Sequence, residues 1–290
     1  MSNTHKKHID VALVKSLIAA QFPQWQHLAI KPVEFSGWDN RTFHLGDEMS
    51  IRLPSEAEYA PQILKEFQWL PKLAESITVQ ITKPLALGAP NGSYPWPWSI
   101  NQWINGESAS NERIQDMIQF AKDLGHFLKE FQNIDSLGGP PAGAHNFYRG
   151  GALFAYDVEM RQAIPLIINE YNKNIAEKLW NEALSSSWQE VPVWVHGDIA
   201  IGNLLVKQGK LCAIIDFGQL AIGDPACDLT IAWNFFTGDA RKAFQTAIPL
   251  DRNTWIRALG WILWKTLCWP VPGTDVKRII HDVLEDYQSI

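Results

Sequence analysis

Cysteine is scarce. Cys212, Cys227 and Cys268 are the three in 290 residues, and none stands in a C-x-x-C pattern. An odd number at such spacings argues against a disulfide framework or a thiolate metal site, and for a reducing compartment. Long apolar runs are also missing, none approaching the ~18 residues that a membrane span needs. Near the N-terminus Val11, Val14, Leu17, Ile18 and Phe22 recur at helical spacing, but Lys15 interrupts them and makes the segment too polar for a signal-peptide core. There is no excess of positive charge: the net charge is −6 and the isoelectric point about 5.8, which disfavours a nucleic-acid partner. Internal repeats and low-complexity segments are absent as well. What remains, 46% hydrophobic and 19% charged, reads as a globular chain able to form one large domain or two lobes. The expected location is the cytoplasm.

The chain is organised around Val191–Asp228. Val191, Val193 and Val195 alternate with other residues and predict a strand running into a loop at His196-Gly197-Asp198. Leu204–Lys207 and Leu211–Ile215 are apolar runs joined around Gln208-Gly209, a hairpin turn. Such a hairpin is expected to bring Asn203 at its entrance near Asp216 at its exit. Two carboxylates and an amide oxygen converging there would make a hard-oxygen site suited to Mg²⁺. Each residue has a plainer use: an Asp or Asn after a strand commonly caps the next turn.

His196-Gly197-Asp198 followed five residues later by Asn203 has the spacing H-x-D-x-x-x-x-N, and Ile215-Asp216-Phe217-Gly218 stands where a metal-binding D-F-G would. With Gly223-Asp224-Pro225 and Asp228 behind it, this stretch resembles the aminoglycoside phosphotransferase and choline kinase family more than protein kinases. The resemblance implies an α+β, two-lobed, protein-kinase-like fold, with a small antiparallel-sheet lobe over residues 1–103 and a larger, mainly helical lobe over 104–290. It implies Asp198 as catalytic base and Asn203 and Asp216 as Mg²⁺ ligands, with ATP or GTP as co-substrate. His196, Asp224 and Asp228 are expected to brace the loop, because phosphoryl transfer depends on positioning more than on a further proton carrier.

Upstream, Ile30–Phe35, Arg41–Leu45, Met49–Leu53, Gln80–Leu87 and Trp98–Ile104 read as strands, and Pro61–Leu73 as a helix with Ile63, Phe67, Leu70 and Leu73 on one face. By the resemblance, Ser36–Asn40 covers the nucleotide phosphates, with the Ser36 hydroxyl as a donor, although this loop has a single glycine. Arg52 stands where the family's strand usually carries a phosphate-binding lysine. It keeps the charge with a wider, planar head, and a surface salt bridge is its alternative. Glu66 is expected to turn inward to Arg52, or else to sit solvated beside Lys65. Gln102 and Trp103 fall where the family's backbone meets a purine edge.

Ile114 to Phe131 keeps one apolar face and predicts a helix capped by Ser110 or Asn111. Gly138–Gly151 is a loop rich in glycine and proline, in which His145, Tyr148 and Arg149 either line a substrate site or pack at the surface. Val158–Leu184 reads as one or two helices, and the remainder as a helical tail carrying Trp233, Trp255, Trp261, Trp264 and Trp269. The activity implied is transfer of a γ-phosphoryl group to a hydroxyl of an antibiotic-like molecule, first an aminoglycoside, whose amines Asp157, Glu159 or Asp239 would meet. A macrolide, another small hydroxyl metabolite, or a nucleotide-binding pseudo-enzyme are the alternatives. Ala200-Ile201, where relatives often have a polar residue and a proline, and Arg52 are the two departures from the family pattern.

Overall fold

The computed structural model describes residues 9–34, 37, 39–167 and 169–290. Two compact units make up the chain: one comprises Met1–Glu107 with Ala213–Gly218, the other Ser108–Cys212 with Gln219–Ile290.

The first unit begins with α1 (Val11–Gln21), whose first turn is closed by Asp10 accepting from the Leu13 N–H at 2.8 Å. Strands β1 (Ile30–Pro32), β2 (Asn40–Leu45) and β3 (Met49–Pro54) follow, then α2 (Ala60–Leu73), β4 (Gln80–Ile81), β5 (Pro84–Gly88) and β6 (Trp98–Gln102). Five of the strands form an antiparallel sheet in the order β1-β2-β3-β6-β5. Val14, Leu17 and Ile18 of α1 bury against Leu45, Ile51, Leu53, Trp98 and Ile100 of that sheet. Gly88 is required here, since a Cβ would stand 1.9 Å from the Trp98 ring.

Three expectations change. The single strand predicted over Gln80–Leu87 is two: β4 pairs in parallel with Ala213 and Ile214, whereas β5 pairs antiparallel with β6. Pro84 has no N–H to continue a ladder, and a register shift sits between Pro84 and Ala86. The strand predicted to reach Phe35 ends at Pro32, and the one predicted to reach Ile104 ends at Gln102.

After β7 (Glu107–Ser108) the second unit turns helical, with α3 (Met117–Gln132), α4 (Asp157–Ala163) and α5 (Glu170–Ser185). The cap of α3 is Asp116, accepting from the Gln119 N–H at 3.0 Å, and neither Ser110 nor Asn111; Ile114 is buried ahead of the helix. Pro165 lies in the break between α4 and α5. Then come β8 (Val193–Val195), β9 (Leu204–Lys207), β10 (Lys210–Ile214) and β11 (Ala221–Gly223), with β11 antiparallel to β8. Gln208 and Gly209 both have positive φ, 52° and 76°, as a tight hairpin turn between β9 and β10 demands. The tail is α6 (Ile231–Asn234), α7 (Gly238–Ala247), α8 (Arg252–Cys268) and α9 (Val276–Ser289). Almost every residue of α8 from Thr254 to Trp264 is buried, so this helix is the centre of its unit and not an amphipathic cover.

No described helix is long and apolar enough to cross a membrane.

Candidate active site

Arg52 lies on β3, flanked by Thr42 of β2 and Ser99 of β6. Its Nη1 donates to both carboxylate oxygens of Glu66 on α2, at 2.9 and 2.7 Å, and its Nη2 donates to Asp216 Oδ1 at 2.8 Å. Glu66 is 2% exposed, so it is turned inward and is not solvated beside Lys65. Burial works against the Arg52 charge, but Glu66 and then Asp216 outweigh it and hold the guanidinium protonated more firmly than usual. Burial lifts the Glu66 carboxyl, and Arg52 pulls it only part of the way back. Asp216 sits at φ 66°, a left-handed conformation rare outside glycine. Conformations of this kind persist where the surroundings fix them, and the ion pair to Arg52 is one such constraint. Its second oxygen, Oδ2, has no hydrogen-bond partner among the described residues.

Ser36 lies outside the described residues. Gln102 and Trp103 spend their backbone N–H groups within the first unit: Gln102 N–H donates to the Lys83 carbonyl at 2.9 Å, and Trp103 N–H to the Glu48 carbonyl at 2.7 Å. The Trp103 ring packs against His44, centroids 4.2 Å apart and the planes tilted by 53°.

In the second unit β8 delivers the chain into the loop His196-Gly197-Asp198. Asp228 is fully buried and accepts from the backbone N–H of His196 at 2.7 Å and of Gly197 at 2.8 Å. Burial raises its carboxyl above the ordinary range, against the pull of His196 and these two donors. His196, also fully buried, accepts the Asp198 N–H on its Nδ1 at 3.2 Å. Gly197 has φ 84°, and a Cβ there would come 2.5 Å from the Gln219 carbonyl. Asp224 caps the turn that starts at Pro225, accepting from Ala226 N–H, and is held by Arg257 of α8 at 2.6 and 3.2 Å.

The loop therefore presents Asp198 from a fixed backbone. Asn203 donates through Nδ2 to the Asp198 carbonyl at 3.0 Å and to its Oδ2 at 3.3 Å, which leaves Asn203 Oδ1 without a hydrogen-bond partner among the described residues. Lys265 of α8 approaches Asp198 Oδ1 at 3.1 Å. Burial pushes the Asp198 carboxyl up, but Lys265, with His196 and Arg149 adding to it, reverses this and holds it below the ordinary carboxylate value.

A model of the phosphotransferase enzyme family matches residues 29–259. The chain belongs to that family. An aminoglycoside 3'-phosphotransferase from Escherichia coli is 44% identical over 43 residues, 15% of this chain and 16% of that protein. One from Salmonella typhimurium is 36% identical over 67 residues, 23% of this chain and 25% of that protein. These alignments thus span a quarter or less of the curated relatives. Solved structures extend the likeness over the whole fold: the GDP complex of wild-type aminoglycoside 2'-phosphotransferase-IIIa has a TM-score of 0.72 at 16% identity, covering 97% of this chain and 99% of that one. Macrolide 2'-phosphotransferase MphH from Brachybacterium faecium, an apoenzyme, has a TM-score of 0.64 at 16% identity, covering 89% and 90%. At such identities the likeness shows the kinase-like α+β fold, with its antiparallel N-terminal sheet and helical C-terminal region.

Within this member of the phosphotransferase enzyme family, sequence reasoning passed over Lys265 and left Arg149 between two readings. Arg149 Nε donates to Gln219 Oε1 at 3.3 Å, and its guanidinium lies 4.6 Å from the Trp264 ring centroid and 5.3 Å from that of Trp261. Arg149, Asp198, Lys265, Gly197 and Trp261 line one cavity of about 10 Å³, roughly the space of one water. The usable signal was in α8, where Arg257 and Lys265 are cations in an otherwise apolar, tryptophan-rich stretch. The acidic residues expected to meet amines are in part engaged elsewhere. Asp157 accepts from Trp180 Nε1 and Arg161, and Glu159 from the indoles of Trp264 and Trp269, whereas Asp239 is exposed in the first turn of α7.

Proposed function

We propose that this chain transfers the γ-phosphoryl group of ATP or GTP to a hydroxyl of a small molecule, with Asp198 as general base. The observation that carries the reading is the ionised Asp198 carboxylate, presented by a loop that Asp228 and Asn203 hold from both sides. The acceptor O–H proton passes to Asp198 as its oxygen bonds to the γ-phosphorus. The bond from that phosphorus to the bridging oxygen breaks, and the nucleoside diphosphate leaves. Arg52, fixed by Glu66, is the residue offered to the nucleotide phosphates, and residues 1–103 form the nucleotide-binding lobe, with 104–290 the acceptor-binding lobe.

Mg²⁺ fits the donor chemistry: a free amide oxygen on Asn203 and a free carboxylate oxygen on Asp216 are hard ligands, and Mg²⁺ commonly completes its shell with waters and substrate phosphates. Bound there, the ion would neutralise charge on the transferring phosphates. Asn203 and Asp216 belong to different units, and each is assigned as a ligand by its place in the motif.

The first acceptor to consider is an aminoglycoside, because the curated relatives are aminoglycoside phosphotransferases; antibiotic resistance in the cytoplasm would be its setting. A second reading, another small hydroxyl compound, is favoured by the two cations, Arg149 and Lys265, that line the cavity beside Asp198. The test is Asp198→Ala: turnover is expected to fall about 10²- to 10⁴-fold, the usual share of a general base, while nucleotide affinity holds. Unchanged turnover would remove Asp198 from that role.

A further inference from the structure

The cavity beside Asp198 holds more positive than negative charge. Its lining includes the side chains of Arg149 and Lys265 against the single carboxylate of Asp198. Lys265 uses one contact on Asp198, and Arg149 has no carboxylate within ion-pair distance among the described residues. Nearby carboxylates are already satisfied: Asp224 by Arg257, Asp228 by two backbone N–H groups, and Glu159 by two indoles. The thiol of Cys227, also in the lining, is held neutral by burial well above its usual range.

Arg149 is also placed with care. The two residues before it, Phe147 and Tyr148, are both left-handed, φ 53° and 55°, in a loop of Gly143–Gly151. Two consecutive non-glycine residues in this region are disfavoured and persist only where the surroundings fix them. Fully buried Asn146 does so, accepting from Gly143 N–H and donating to the carbonyls of Arg149 and Gln219, and Tyr156 adds a hydrogen bond to the Phe147 carbonyl. The result is a guanidinium laid on indole faces with its Nη donors unpaired among the described residues. Guanidinium forks of this kind recognise carboxylate and phosphate oxygens.

We propose that Arg149 and Lys265 form an anion subsite beside Asp198, and that the acceptor is a small hydroxy compound carrying a carboxylate or phosphate. The proposal rests on the phosphotransferase reading above and names its substrate class. An acceptor anchored by its anionic group would bring a neighbouring hydroxyl to Asp198, whereas the ammonium groups of an aminoglycoside would meet like charge from Arg149 and Lys265.

Tryptophan fluorescence reports the subsite directly, because Trp261 and Trp264 lie against Arg149. Titration of the full chain with gluconate, glucose, glucose 6-phosphate and kanamycin separates carboxylate, neutral, phosphate and cationic ligands. Gluconate or glucose 6-phosphate is expected to bind at least about tenfold more tightly than glucose, with Arg149→Gln removing that preference, as loss of a charge-assisted hydrogen bond predicts. Arg149→Lys should restore part of it, which a merely structural role for the arginine would not produce. Equal affinity for the anionic and neutral ligands, tighter binding of kanamycin, or a preference untouched in Arg149→Gln and Lys265→Gln would each overturn the subsite. ATP–Mg²⁺ binding, titrated separately, distinguishes the two failures. Its absence overturns the kinase reading with the anion preference still measurable, and its presence without that preference overturns the subsite alone.

Discussion

Asp198 keeps its charge because Lys265 sits 3.1 Å from one oxygen while Asn203 donates to the other. Removing the cation in Lys265→Met leaves burial less opposed, so the carboxyl titrates higher. The acidic limb of the pH–rate profile is then expected to move to higher pH in the variant. An unmoved limb would show that Lys265 does not set the charge of Asp198. Stability carries the matching sign. A carboxyl depressed in the folded state contributes fully above its unfolded value, near 4, and loses that contribution as pH falls through the lower folded value. Urea unfolding of wild type and Lys265→Met should therefore differ at neutral pH and converge as the pH falls through the lower folded value and both states become protonated. At this scale spacing alone was enough to single out Asp198, Asn203 and Asp216 as candidates. Lys265 was illegible because its partner is 67 positions away, on a helix whose pattern reads as core.

Two local elements hold the candidate residues in place. On β3 and α2 the pair Arg52–Glu66 is nearly enclosed, with side chains 11% and 3% exposed. Truncating one partner of such a pair leaves the other charge under-compensated, which costs about 3–5 kcal/mol when burial is complete. Glu66→Ala is thus expected to lower the urea midpoint clearly and to raise KM for the nucleotide more than it lowers kcat. A midpoint equal to wild type would show that Asp216 alone suffices for Arg52. In the loop after β8 the critical backbone is Gly197. Gly197→Ala meets both a positive φ and the Gln219 carbonyl, so a loss of stability above ~1 kcal/mol and a lower kcat are expected. Full activity in that variant would mean that the turn does not set the reach of Asp198.

Element positions were largely legible because apolar periodicity survives into the fold. The misses have local chemical causes: the predicted strand breaks after Ile81, ahead of Pro84, which opens β5 without an N–H, and Asp116 takes the cap in place of Ser110 and Asn111. The N–H groups of Gln102 and Trp103 pair with the carbonyls of Lys83 and Glu48, partners that no short spacing reveals.

For the molecule as a whole the net charge is −6, yet the cavity beside Asp198 is lined by two cations, Arg149 and Lys265, against one carboxylate. Bulk composition constrains solubility and partner class, not the potential at a particular site. The family was legible from a single segment because the H-x-D-x-x-x-x-N spacing and Ile215-Asp216-Phe217-Gly218 occur together in Val191–Asp228, and the family match over residues 29–259 extends that reading across both units. Acceptor identity was not legible: the side chains lining the cavity beside Asp198, Arg149 and Lys265 among them, come from different parts of the second unit. The most direct measurement follows γ-³²P-labelled ATP and GTP with Mg²⁺ against aminoglycosides, macrolides, choline and small hydroxy acids, using wild type and Asp198→Ala and with nucleotide binding measured in parallel. Acceptor-dependent label transfer is expected from the wild type and its loss from Asp198→Ala, although that variant still binds nucleotide. Transfer that survives the substitution would remove Asp198 as base, and a wild type that binds no nucleotide would overturn the phosphotransferase reading.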